Sequence, residues 1–168
     1  MAHVVWSNDL SVGLDVIDKQ HMRIVDYINE LDEAVVSKRA DRVERIMAIV
    51  DAAIDYTESH FGFEEVMLEE VGYPFIKAHK KVHELFVRRI VGYRDRLLAG
   101  EDIGIELRDT LGRWLINHIK NEDSDYSKWC KSSNVSLPPG LKQTGVGSSH
   151  EPEGGEGWLS SRLKRFFR

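Results

Sequence analysis

The chain has 168 residues, 42% of them hydrophobic and 30% charged, with a formal net charge of −5. These values describe an ordinary soluble globular protein with enough chain to bury a core, and no apolar run approaches the ~18 residues that would span a membrane. The acidic balance argues against nucleic acid as a partner, and a single cysteine, Cys130, excludes an internal disulfide and a cysteine-built metal site. The opening segment, MAHVVWSNDL, has no basic stretch followed by a long apolar one, so no secretory signal is expected and the reading is cytoplasmic.

Four helical patterns follow an N-terminal arm of about 16 residues. The first runs from about Asp18 to Ser37, with Ile17, Ile24, Val25, Ile28, Leu31 and Val35 on one face. The second, from about Asp41 to Glu70, repeats Ile46, Val50, Ala53, Thr57, Met67 and Val71. The third follows GYP and spans about Phe75 to Ala99, with Pro74 suited to a first turn and Gly100 to a stop. The fourth, from about Ile103 to Cys130, carries Leu107, Leu111, Leu115 and Ile119. Nothing alternates as a strand, and the connections are short. The fold class is therefore all-α: an antiparallel up-down-up-down four-helix bundle with an N-terminal arm and a flexible C-terminal extension.

Three segments are expected. Residues 1–133 form the bundle. Residues 134–157, rich in Gly, Pro and Ser, read as a flexible linker that includes His150. Residues 158–168, WLSSRLKRFFR, read as a basic amphipathic tail. Leu159, Leu163, Phe166 and Phe167 share one helical face, Trp158 adds a further aromatic ring, and Arg162, Lys164, Arg165 and Arg168 supply the charge. That pattern suits docking on an anionic membrane surface or on a protein partner, so membrane association through the tail is expected.

The histidines carry the chemistry. In KAHKKVHELF, His79 and His83 lie four apart and share a face with Ile76, Phe86 and Ile90. His60 and Glu64 repeat that spacing on the second helix. His21 sits on the apolar stripe of the first, and His118, followed by Asp123, on the fourth. One imidazole on an apolar face is ordinary core material. Five of them with a core-facing carboxylate are not, because a buried ionised carboxylate costs several kcal/mol unless it is paired or bound to a metal. Bundle cores build such sites from facing helices, and imidazole with carboxylate suits iron, zinc or copper. Five imidazoles and two carboxylates exceed one site. They fit two ions joined by two bridging carboxylates and an oxo or hydroxo group, with imidazoles divided three and two and one position open.

The order H…HxxxE…HxxxH…HxxxxD, preceded by WSNDLSVGLDVIDKQH, resembles the hemerythrin family in its bacterial branch over about residues 5–130. The resemblance implies a di-iron centre. His79, His83 and His118 would bind one iron, His21 and His60 the other, and Glu64 and Asp123 would bridge. It implies reversible O2 binding at the open position, for carriage, storage or sensing, beneath the apolar residues Trp114, Leu115 and Ile119 of WLINHI. Asp123 is five residues after His118, about 140° around an ideal helix. Either the helix is distorted there or Asp123 reaches in from the side, with Asp125 as its neighbouring competitor. Glu65 is expected to be a solvated neighbour of Glu64, and Trp6 to pack the arm on the bundle.

Two other functions stay open on the sequence. One is an enzyme acting on peroxide, nitric oxide or ferrous iron. The other is an interaction module that works through its tail, with the di-iron site as sensor. Two carboxylates are few beside the Glu-rich sets of ferritin-like di-iron enzymes, which favours binding over oxidation chemistry.

Overall fold

The computed structural model describes residues 3–133. The linker at 134–157, with His150, and the tail at 158–168 lie outside the described residues. Helices α1 (Asp15–Val36), α2 (Arg42–Glu70), α3 (Ile76–Leu98) and α4 (Gly104–His118) form the bundle. A π-helical turn (Ile119–Asp123) and α5 (Ser124–Ser132) continue the line of α4. There is no strand among the described residues. The four helices of the sequence reading are present, each boundary shifted by up to three residues. The fourth is one continuous helical rod with a wide turn inside it.

Connections at 37–41, 71–75 and 99–103 make successive helices antiparallel neighbours. Helix α1 packs on α2 and α4, and α2 packs on α3, which leaves α1 and α3 on opposite corners. Gly72 and Gly100 end α2 and α3 in the left-handed region, at φ +73° and +88°. At both ends the Schellman pattern closes. Gly72 N–H donates to Glu69 O and Tyr73 N–H to Leu68 O, while Gly100 N–H donates to Leu97 O and Glu101 N–H to Arg96 O. Pro74 lies within the turn before α3 rather than in its first helical turn.

The apolar stripes meet along the bundle axis, where Ile17, Leu31, Met67 and Leu107 are fully buried. Between helices, Arg108 of α4 reaches Asp32 of α1, and the Tyr93 hydroxyl of α3 meets Glu106 and Thr110 of α4. The arm is fastened to the start of α1. Asp18 accepts from Val12 N–H at 2.8 Å and from the Ser11 hydroxyl at 2.6 Å, and Asn29 exchanges two hydrogen bonds with the Val4 backbone. Trp6 packs half-buried on the core, as expected, with its ring 6.3 Å from His21.

The π turn settles the reach of Asp123. An i→i+5 turn accommodates one more residue than an α turn and brings position i+5 beneath position i. Asp123 thereby shares the inner face with His118, and both are buried, at 0% and 2% exposure. The Asn121 side-chain amide donates to Asn117 O at 2.7 Å, so a side chain enters the ladder at the widened turn. Asp125, the alternative, is exposed and pairs with Lys128.

Candidate metal centre

All seven residues singled out on the sequence converge at one level of the bundle. His21, His60, Glu64, His79, His83, His118 and Asp123 are each no more than 4% exposed. Helical spacing places them: His60 and Glu64, like His79 and His83, lie one turn apart on inward faces. Their donor atoms fall into two groups. Glu64, His79, His83 and His118 each offer one atom, all within 4.8 Å of one another, and so do His21, His60 and Glu64. Glu64 belongs to both. Asp123 also faces both groups: Oδ1 lies 3.1 Å from His118 Nε2 and 3.7 Å from His79 Nε2, while Oδ2 lies 3.3 Å from His21 Nε2.

The polar atoms of this cluster are not satisfied by the protein alone. His83 Nε2 and His118 Nε2 face each other at 3.0 Å. Both nitrogens of His21, Nε2 of His60, Nδ1 of His118 and both oxygens of Asp123 are buried without a hydrogen-bond partner among the described residues. Buried polar groups are rarely left so, and four of these six atoms, His21 Nε2, His60 Nε2 and the two Asp123 oxygens, belong to a donor set suited to a cation.

The outer edges of the imidazoles explain their orientation. His60 Nδ1–H donates to Gln20 Oε1 at 2.8 Å, and His83 Nδ1–H donates to Glu65 Oε1 at 2.9 Å. Each bond fixes the proton on the outer nitrogen and turns the Nε2 lone pair inward. Glu122 Oε2 lies 3.3 Å from His118 Nδ1. Tyr126, fully buried, donates to Glu64 Oε1 at 2.6 Å and leaves Oε2 toward His79, 3.1 Å away. Glu65 is thus not the solvated neighbour expected: its carboxylate orients His83. Gln20, Glu122 and Tyr126 were not singled out on the sequence. Their signal was available, since metal-binding histidines usually donate their second N–H to an oxygen, and Gln20 and Glu65 each adjoin a candidate ligand in the chain.

Electrostatics point the same way. Burial pushes the Glu64 carboxyl up, but His79 and His83 outweigh it and hold it well below the usual range. Burial pushes His60 down to about 3, so it is neutral. Burial also disfavours charge on His118, yet Asp123 and Glu122 override it and raise its pKa to about 10. The two buried carboxylates therefore demand positive charge at the cluster. A proton on His118 supplies one unit, and a bound cation would replace that proton and supply more.

Toward the 37–41 and 99–103 loops the cluster meets apolar side chains. Ile24, Thr57, Phe86 and Leu115 each stand three residues from His21, His60, His83 and His118, and together they form a layer one turn along the bundle. With Trp114 and Ile28 they line a cavity of about 20 Å³. A water-sized guest needs roughly 10–15 Å³ on this measure. Trp114 stacks on His118 at 4.4 Å and on Phe86 at 3.5 Å between ring centroids. Phe61, missed on the sequence, stacks on His83 at 3.7 Å. Of the three pocket residues expected, Trp114 and Leu115 line the cavity. Ile119 is buried but does not line it.

Comparison with known proteins converges on one family. Residues 12–130 match the family model described as hemerythrin HHE cation binding domain. A bacteriohemerythrin from Pseudomonas aeruginosa is 46% identical over 167 residues, covering 99% of both chains. A bacteriohemerythrin from Methylococcus capsulatus is 30% identical over 129 residues, covering 75% of this chain and 95% of its own. Among solved structures, a wild-type hemerythrin matches with a TM-score of 0.70 at 27% identity, covering 76% of this chain and 97% of that one.

Proposed function

The chain belongs to the hemerythrin family, and from that premise we propose that its buried cluster holds two iron ions and binds O2 reversibly. His79, His83 and His118 would hold one iron, His21 and His60 the other, and Glu64 and Asp123 would be shared between them. The observation that carries this reading is the sharing of Glu64 by both donor groups, with one Asp123 oxygen turned toward each. When bound, two ferrous ions would supply the electrons that O2 takes up on binding and returns on release.

The residues of the chain do the rest. Gln20 and Glu65 hold His60 and His83 with their lone pairs inward. Tyr126 donates to Glu64 and fixes that carboxylate's rotation. With two six-coordinate ions joined by both carboxylates and one oxo or hydroxo group, five imidazoles would leave one position for a ligand, on the side with two histidines. The layer of Ile24, Phe86, Trp114 and Leu115 keeps water and protons away from the ligand, and the small cavity that these residues line has none of the seven cluster residues in its wall. The proposed role is a carrier, store or sensor of O2 in the cytoplasm rather than an enzyme. No helix among the described residues is long and apolar enough to cross a membrane.

The test is metal analysis joined to visible spectroscopy on the purified full-length chain. Two irons per chain are expected, with an oxygen-dependent charge-transfer band that appears on aeration and disappears on deoxygenation through several cycles. One iron per chain, or zinc from iron-replete cells, would sink the di-iron reading. Irreversible bleaching after the first aeration would instead favour chemistry over carriage.

A further inference from the structure

We propose that the C-terminal segment Trp158–Arg168 docks on its own bundle, in the acidic groove between the start of α3 and the π turn. The groove measures about 440 Å³ and lies on the face of the cluster away from the apolar layer. Phe75, Ala78 and Val82 form one wall, Glu122 and Asp125 the other, and His79 lies at its base. Phe75 is 64% exposed, although it is one of the largest apolar side chains in the molecule. An aromatic wall facing an acidic one, with no lysine or arginine in the lining, is a binding surface for a peptide that is aromatic and cationic.

Residues 158–168 have that chemistry. They contain Trp158, Phe166 and Phe167 with four basic residues and no acid. Taken whole, residues 1–133 and 134–157 are both net acidic, so the tail's charge opposes that of the body, although α3 itself is basic, with seven Lys or Arg against two acids. Position supports the same occupant. Asp125 and Ser132 belong to α5, seven residues and about 10 Å apart along its axis. The 24 residues of 134–157 follow, and a chain of that length can reach up to about 80 Å. The tail is thus tethered within easy reach of the groove, where even a weak contact is favoured by a millimolar effective concentration. Lys128 pairs with Asp125 at 3.5 Å, but this is an exposed i,i+3 contact that a denser cationic peptide displaces readily.

Docking there would also touch the cluster. Glu122 is the carboxylate that faces His118 Nδ1. An arginine at Glu122 competes for the oxygen that orients this imidazole, and an aromatic ring over Val82 covers the outer side of His79. Tail occupancy and the state of the cluster are then linked, and each affects the other to the same degree. The docking itself does not depend on which metal the cluster holds.

Disulfide trapping in the full-length chain tests the proposal without a metal-dependent assay. Ser160→Cys is paired with Ala78→Cys in the groove wall. In a control chain it is paired with Lys19→Cys, an exposed site at the same end of the bundle on the opposite corner. Cys130 is buried, and burial pushes its thiol pKa up, so it stays out of exchange. Under mild oxidation the groove pair is expected to close at least about tenfold faster than the control pair. Asp125→Lys, or raising the salt, should remove most of that advantage, because the contact is partly ionic. Equal rates at the two sites overturn the proposal, as does a groove preference indifferent to both charge and salt. If rates are equal and the same chain sediments with anionic phospholipid vesicles, the tail's site is a membrane surface instead.

Discussion

The two halves of the cluster are built differently. On the side of His79, His83 and His118, two outer nitrogens face carboxylates, Glu65 and Glu122. On the side of His21 and His60, one outer nitrogen has a neutral amide, Gln20, and His21 Nδ1 has no partner among the described residues. A carboxylate behind an imidazole makes the ring a stronger electron donor and fixes it more firmly than an amide does. The three-histidine half is therefore the more anchored one. The two-histidine half combines fewer donors with a weaker outer shell, which suits it to the proposed open position. The difference comes from neighbours beyond the ligands.

Several changes would break or sharpen this contrast. The largest effect is expected from Glu64→Ala, because Glu64 serves both halves. Both irons should be lost, and the remaining buried imidazoles and the Tyr126 hydroxyl would be left facing one another, at a cost of about 3–5 kcal/mol. Iron analysis and thermal melting read this directly, and retention of a full complement of iron would show that Glu64 is not shared.

Removing one imidazole from each half should separate them. His118→Ala and His21→Ala are each expected to release iron, with the His118 variant melting lower, since it also strands Asp123 and Glu122. A metal that binds only the folded chain adds stability, so chelation should lower the melting temperature of the parent protein as well. Equal melting with and without iron would contradict that.

A smaller change targets the dry layer. Leu115→Ala should cost roughly 2–5 kcal/mol in stability and leave a void one turn from His118. With water closer to the ligand, spontaneous oxidation of the O2-bound form should speed up several-fold. An unchanged oxidation rate would mean that Leu115 does not guard the ligand.

The subtlest comparison exchanges the outer partners. Glu65→Gln is expected to weaken iron retention against a chelator by ~10–100-fold, while Gln20→Glu should strengthen retention in the opposite half. If both substitutions act alike, the asymmetry of the outer shell has no chemical consequence.

Much of this molecule was legible in the sequence, because the relevant signals are local. A 3.6-residue period marks a buried helical face whatever lies opposite it. The i,i+4 spacings of His60 with Glu64 and of His79 with His83 guarantee that each pair projects to one side. Burial of that many titratable groups leaves few alternatives to a metal. Four helices with short connections then pack as antiparallel neighbours.

Other features waited for the tertiary structure, because they depend on which surfaces meet. The five-residue step from His118 to Asp123 was ambiguous until the π turn resolved it, since a widened turn leaves no period of its own in the sequence. Glu65 looked like one more exposed acid of α2, and only the approach of α3 gives it His83. Tyr126 became a partner of Glu64, 62 positions away, through the course of the rod after the π turn. The apolar layer at Ile24, Thr57, Phe86 and Leu115 is three residues from a histidine on every helix, but whether side chains from four helices close over a space or fill it is decided by their packing. Period and spacing are properties of one segment and can be read from it. Second partners, cavities and grooves are properties of pairs of segments, and the fold alone supplies the other member.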